Sequence, residues 1–168
     1  MICAVDEEFG FGKNGEIPWY YSEDLNYFKN ITKDGILIMG KNSYLDALEY
    51  FENKPFMPGR EVSVISSTIN KRVIREGVTV FTDVDFSIRY YQNLYPDKQI
   101  YFCGGKEIFE HALDVVDRVY LAKIPGVHEC DVFLNKEKLL RNFSIMFCES
   151  GKKSKELLFQ TYRRKTCC

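Results

Sequence analysis

Blocks of apolar and polar positions along the chain predict an ordered set of strands and helices. Residues 2–5 form a short apolar run and predict a buried strand. Residues 7–19 are glycine-rich and predict a loop. Ser22 fits an N-cap, and Leu25, Phe28 and Ile31 at three-residue spacing predict a helix over 23–31, with Gly35 as its stop. The run ILIMG at 36–40 predicts a central strand that enters a turn at its glycine, followed by a helix over 42–50. The segment KPFMPG at 54–59 is bracketed by prolines and predicts a loop. Residues 61–66 and 77–81 are β-rich, and 85–94 is helical in pattern. A strand over 99–103 ends at Gly104-Gly105, a helix follows over 106–113, and another strand covers 118–124. Beyond residue 130, β-like runs fall at 131–134, 144–149 and 157–164. Gly151-Lys152-Lys153 turns the last two into an antiparallel hairpin.

Strands alternate with helices through the first two-thirds, and β structure dominates the end. This pattern predicts an α/β fold: a mixed, mostly parallel central sheet, helices on both faces and a C-terminal antiparallel hairpin. The 168 residues suit a single domain over 1–168.

Composition narrows the function. The chain is 45% hydrophobic, which supports a core, and its charges balance to a formal net charge of -1. That balance argues against a nucleic-acid binder. No apolar run approaches membrane-spanning length, and no signal-peptide pattern opens the chain, so no stable membrane association is expected. Six cysteines show no C-x-x-C spacing, and the two histidines stand apart, so no metal site is expected. The cysteines read as small buried hydrophobes in a reducing, cytoplasmic compartment. The ending Arg163 to Cys168 is basic and closes on Cys-Cys; it reads as a frayed tail, with lipidation the sharper alternative.

Candidate chemistry falls at a few points. Asp24 sits in the first turn of a predicted helix beside apolar Leu25 and Phe28. It reads either as a dipole-favoured acid or as a carboxylate aimed into an apolar pocket, where it would pair with an N–H-rich ring and handle a proton. Gly40-Lys41-Asn42-Ser43 and Cys103-Gly104-Gly105-Lys106 both stand where a strand turns into a helix. Backbone N–H groups there attract phosphate, and ligands bind at the carboxyl ends of strands in such sheets. Ser66-Ser67 ends a third strand, and Arg60 follows Pro58-Gly59 as a potential carboxylate clamp. His111 reads as a solvated helix residue. No Ser-His-Asp or Cys-His set is apparent.

Taken in order, these pieces resemble dihydrofolate reductase. The resemblance rests on GFGKNGEIPW at 10–19, Asp24-Leu25 with Phe28 and Thr32, then Ile38 to Ser43, Pro58-Gly59-Arg60, Ile65-Ser66-Ser67, Gly104-Gly105 and Asp131-Val132-Phe133. It implies NADPH-dependent reduction of 7,8-dihydrofolate to tetrahydrofolate, with hydride passing to C6 and protonation at N5. It implies catalytic roles for Asp24 and Trp19. Ile2, Ala4, Asp24, Phe28, Met57, Arg60 and Cys103 would contact the substrate, with Arg60 on its α-carboxylate. Ala4, Phe11, Gly12, Gly15, Ile17, Gly40, Lys41, Asn42, Ser43, Ser66, Ser67, Cys103, Gly104, Gly105, Lys106 and Phe109 would hold the cofactor. Lys41 and Ser67 would meet its 2′-phosphate. The Gly-rich loop would be a mobile flap, and the Gly-Gly bond would be cis.

The chain departs from the pattern at three places. Ala122 replaces a threonine that hydrogen-bonds the catalytic carboxylate, Val132 replaces the threonine of Asp-Thr-Phe, and Tyr44 replaces a common tryptophan. Ala122 keeps open an impaired folate- and NADPH-binding relative. A reductase of another pterin is the second alternative, to which a changed tail site would point, and Arg60 favours folate. A monomer is expected, and fusion or association with thymidylate synthase stays open.

Overall fold

In the computed structural model, residues 1–52 and 54–166 are described. The Cys167-Cys168 part of the tail lies outside them. The chain divides into two compact units, residues 1–28 with 109–168, and residues 29–108.

The first unit holds a four-stranded sheet. Strand β1 (Ile2–Val5) runs parallel to β7 (Arg118–Lys123), in register Ile2 to Tyr120 and Ala4 to Ala122. Strand β10 (Leu158–Arg164) runs antiparallel to β7 and to β9 (Phe143–Ser150), giving the order β1-β7-β10-β9. The expected terminal hairpin is present, with a loop over 151–157. Its core gathers Ala122, Ile124, Leu157 and Phe159, against which Ala4, Trp19, Tyr21 and Tyr27 pack.

The second unit holds an all-parallel sheet of order β5-β4-β3-β6, formed by β3 (Ile36–Gly40), β4 (Glu61–Ile65), β5 (Val78–Phe81) and β6 (Ile100–Phe102). Ile36, Leu37 and Ile38 are fully buried, as the unbroken apolar run required. Helices α1 (Ser22–Ile31), α2 (Lys41–Tyr50), α3 (Val84–Leu94) and α4 (Lys106–Val115) fall where the pattern placed them.

Several details differ from the sequence reading. Gly35 does not stop α1: the left-handed residue is Asp34, at φ 56°, and Gly35 lies where a Cβ would come within 2.7 Å of the Tyr101 ring. Ser22 is the first helical residue rather than a flanking cap. A helix, α5 (Lys136–Asn142), lies between the runs at 131–134 and 144–149, where the sequence reading placed no element. Asn135 caps it by accepting the Lys138 N–H at 3.0 Å, and Leu139 anchors it in the core. Cys3 is buried, but Cys148 is exposed, and both are free along with Cys103 and Cys130. His111 is half-buried.

The loop over 7–19 is more ordered than its glycines suggested. Residues Gly10–Gly12 form β2, which pairs antiparallel with β8 (Val132–Phe133). Next, Lys13 and Glu16 exchange backbone hydrogen bonds of 2.9 and 3.0 Å around Asn14 (φ 53°) and Gly15 (φ 88°). Two positive φ values in succession define a type I′ hairpin turn, the conformation that Asn-Gly favours.

Candidate functional site

Asp24 is in the first turn of α1, between Glu23 and Leu25. Burial alone pushes its carboxyl up from the usual 3.8 to about 6. No hydrogen bond reaches this carboxylate among the described residues. Ala122, in β7, is 1% exposed and offers only a methyl group. An apolar wall surrounds this end of the unit. Tyr27, one turn after Asp24, stacks on Phe159 at 4.3 Å, and burial raises its hydroxyl to about 12.

Trp19 packs against the same core cluster and meets the His128 ring edge-on at 5.1 Å. Its indole N–H is buried with no hydrogen-bond partner among the described residues. A buried donor that no group of the protein satisfies calls for a partner from outside the chain, a water or a ligand. Ile2 is buried and Ala4 half-buried on β1, directly across from β7. Phe11 on β2 meets Phe109 of α4 edge-on at 5.1 Å.

The Gly-rich segment is tied down at its base. The Asp131 carboxylate accepts the Asn14 N–H at 2.7 Å, the Asp131 N–H donates to Gly12 O at 2.9 Å, and Lys13 pairs with Glu129 at 2.7 Å. Val132 therefore leaves the Asp131 turn intact. Buried Asp6 organises the preceding turn by accepting N–H groups of Glu8, Gly10 and His128 at 2.8–3.0 Å. Burial raises its carboxyl, but these hydrogen bonds outweigh it and leave the group below the ordinary value. Gly12, Gly15 and exposed Ile17 lie along this segment.

In the second unit, two strand-to-helix turns come together. Gly40 N–H donates to Gly104 O at 2.7 Å, joining the end of β3 to the turn after β6. The Gly104-Gly105 bond is cis, as the resemblance implied. A Cβ on Gly105 would meet the Ser43 hydroxyl at 3.4 Å. Gly40 caps α2 in extended conformation and offers no side chain, so the first-turn N–H groups of Lys41, Asn42 and Ser43 remain available to an anion. Lys41 Nζ donates to Thr68 Oγ1 at 3.0 Å, and Ser66 Oγ accepts the Thr68 N–H at 3.1 Å. Lysine, Ser66 and Thr68 thus share one corner, with Ser67 exposed beside them. Lys106 opens α4, and half-buried Cys103 precedes the Gly-Gly turn; burial raises its thiol to about 12, so it is not a nucleophile near neutral pH.

Arg60 is held by three hydrogen bonds: Nε to Thr32 Oγ1 at 2.9 Å, Nη1 to Pro58 O at 2.9 Å and Nη2 to Lys29 O at 2.7 Å. A guanidinium has five N–H groups, so one on each Nη is left for a carboxylate. Met57 takes φ 45° in the turn just before it. Phe28 is half-buried at the end of the first unit's share of α1.

Sequence reasoning missed three supporting roles. Thr68, which steadies Lys41, carries no local signal beyond a hydroxyl; Thr32 belongs to the motif series, but its hydrogen bond to Arg60 was missed. Glu23, beside Asp24, carries no signal beyond that of a first-turn acid. The Asn14-Gly15 turn did carry a signal, since Asn-Gly between extended residues is a hairpin pattern.

A family model for dihydrofolate reductase matches residues 1–164. The chain is 35% identical over 138 residues to the bifunctional dihydrofolate reductase-thymidylate synthase of Paramecium tetraurelia, covering 81% of this chain and 28% of that protein. It is 31% identical over 128 residues to dihydrofolate reductase type 9 of Escherichia coli, covering 74% of this chain and 68% of that one. Against dihydrofolate reductase of Drosophila melanogaster the identity is 28% over 142 residues, covering 79% and 76%. The chain thus spans well under two-thirds of the Paramecium protein and somewhat over two-thirds of the other two.

Proposed function

This chain belongs to the dihydrofolate reductase family, and we propose that it reduces 7,8-dihydrofolate to 5,6,7,8-tetrahydrofolate with NADPH. Family membership supports an oxidoreductase with a nicotinamide cofactor; NADPH in particular is our reading of the Lys41 corner. The observation that carries the proposal is Asp24, a carboxyl raised to about 6 by burial, with no hydrogen bond of its own among the described residues.

Such a group suits the proton half of the reaction. The pterin presents an amino group and a ring N–H side by side, and a carboxylate accepts both in parallel. A carboxyl near 6 is partly protonated close to neutral pH, so it also promotes protonation at N5. The unsatisfied Trp19 N–H and the apolar residues Ile2, Ala4 and Phe28 complete the ring's surroundings. Arg60, pre-set by Thr32, takes the substrate's α-carboxylate, with Met57 against the tail and Cys103 near the ring.

The residues of the second unit fit a dinucleotide. The uncapped α2 start and the cis Gly104-Gly105 turn offer backbone to a pyrophosphate. Lys41, with Ser66 and Ser67, supplies charge and hydroxyls for a 2′-phosphate. When bound, NADPH supplies the hydride that reduces C6. By the family resemblance, Phe11, Gly12, Gly15, Ile17 and Phe109 of the first unit would contact the nicotinamide end, as would Lys106 of the second, and the loop carrying the first four would exclude water on closing.

We place the chain in one folding domain over 1–168, working as a monomer in a reducing, cytoplasmic compartment. Among the described residues no helix is long and apolar enough to cross a membrane.

The test is NADPH consumption, followed by absorbance, with dihydrofolate as acceptor and NADH in parallel. The reading expects dihydrofolate-dependent oxidation of NADPH, with NADH at least about tenfold less efficient and the gap narrowed in Lys41→Ala. Binding of both ligands without oxidation would overturn it in favour of a non-catalytic relative, the alternative that Ala122 raises.

A further inference from the structure

Asp24 owes its place to the backbone of the first turn of α1, and that turn is held by the residue before it. The Glu23 carboxylate accepts three successive backbone N–H groups from the loop between β9 and β10. Oε1 takes Lys152 at 2.7 Å and Lys153 at 3.0 Å; Oε2 takes Ser154 at 2.9 Å and shares Lys153 at 3.2 Å. Converging N–H groups of this kind form a nest for an anion. The hydrogen bonds hold the Glu23 carboxyl below its ordinary range.

The loop is folded for this purpose. Gly151 N–H donates to Leu157 O at 2.7 Å, and Leu157 N–H returns to Ser154 O at 3.3 Å. A Cβ on Gly151 would lie 2.4 Å from Ser154 O and 3.1 Å from Glu23 Oε2, so only glycine admits this closure. The same hairpin delivers Phe159, which stacks on Tyr27 and pairs with Ala122 in the sheet register. The hairpin therefore grips α1 at residues 23 and 27, on either side of Asp24 in sequence.

We propose that Glu23 is the positioning residue for Asp24. Its clamp on residues 152–154 fixes the first turn of α1, and with it the backbone that carries Asp24. The inference rests on the reading of Asp24 as the proton-handling group. Glu23 acts through Asp24, not on the substrate.

The test is charge-neutral. Glu23→Asp keeps the negative charge but withdraws the carboxylate by about 1.5 Å, one carbon–carbon bond. Gly151→Ala disturbs the nest from the other side and leaves every titratable group in place. In both variants, and in the wild type, amide exchange at residues 152–154 and the NMR titration midpoint of the Asp24 carboxyl carbon are measured on the free protein. Tyr27, the ionisable neighbour of Asp24 on α1, is unchanged throughout.

The inference expects faster amide exchange and an Asp24 midpoint about one pH unit lower, roughly tenfold in proton affinity, as the carboxyl moves toward water. It also expects kcat to fall about tenfold with the KM for NADPH unchanged. Faster exchange with an unmoved midpoint would overturn the positioning role. Amides as protected as in the wild type in both variants would overturn the clamp itself. The titration needs no turnover, so failure of the reductase reading shows separately, in the absence of NADPH oxidation by the wild type.

Discussion

At the scale of the residue, the chain pairs a carboxyl that burial makes hard to ionise with a β7 residue, Ala122, that offers only a methyl group. Burial raises Asp24 from 3.8 to about 6, so the folded state binds its proton more tightly than the unfolded state. The sign follows directly. The stabilising contribution is fully present below about pH 3.8 and is lost as the pH rises through about 6. Above that, the ionised carboxylate costs about 3 kcal/mol, at 1.36 kcal/mol per pKa unit. Asp24→Asn should therefore unfold at higher denaturant than the wild type at pH 8, by roughly 1–3 kcal/mol, with the difference shrinking toward pH 4. Ala122→Thr should move the Asp24 midpoint down, because a hydroxyl bonded to the charged form favours it, with a loss of about one unit visible by carboxyl-carbon NMR. Arg60→Leu should raise the KM for dihydrofolate by about 10- to 100-fold, as expected for removing a charge-assisted clamp, while leaving kcat and the KM for a tail-less pterin near wild type.

At the scale of the element, the Gly-rich segment is a hairpin rather than a slack loop. Its turn depends on Gly15 at φ 88°, so Gly15→Ala should cost about 1 kcal/mol at the turn and slow turnover several-fold, read by stopped-flow absorbance. What could be read from sequence also sorts by element. The buried runs ICAV and ILIMG announced β1 and β3 because a two-sided buried strand needs unbroken apolar residues. The helix α5 stayed hidden because its seven residues, KEKLLRN, are too few to show helical periodicity, and its cap, Asn135, was the lone cue. Asp24, Arg60, Lys41 and the Gly-Gly turn were legible because each sits at a fixed point in an ordered series of motifs. Glu23 and Thr68 were not, since their roles come from partners 27 to 131 positions away; Thr32 stands in the motif series, but its bond to Arg60 is visible only in the folded chain.

At the scale of the whole molecule, each compact unit carries a distinct part of the proposed chemistry. Residues 1–28 with 109–168 hold the proton-handling carboxyl, its apolar wall and the hairpin clamp, and residues 29–108 hold the anion-binding turns and Arg60. The helices α1 and α4 run through the points where the chain passes from one unit to the other. The central claim is that Asp24, half-buried in the first turn of α1, supplies the proton that accompanies reduction of the pterin. The most direct measurement is the single-turnover rate of NADPH oxidation by dihydrofolate across pH 5 to 9, in the wild type and in Asp24→Asn. The account predicts a wild-type rate that is level below about pH 6 and falls about tenfold per pH unit above it, and an Asp24→Asn rate that is slow and insensitive to pH. An Asp24→Asn protein that keeps the wild-type rate, or shows the same pH profile, would contradict it.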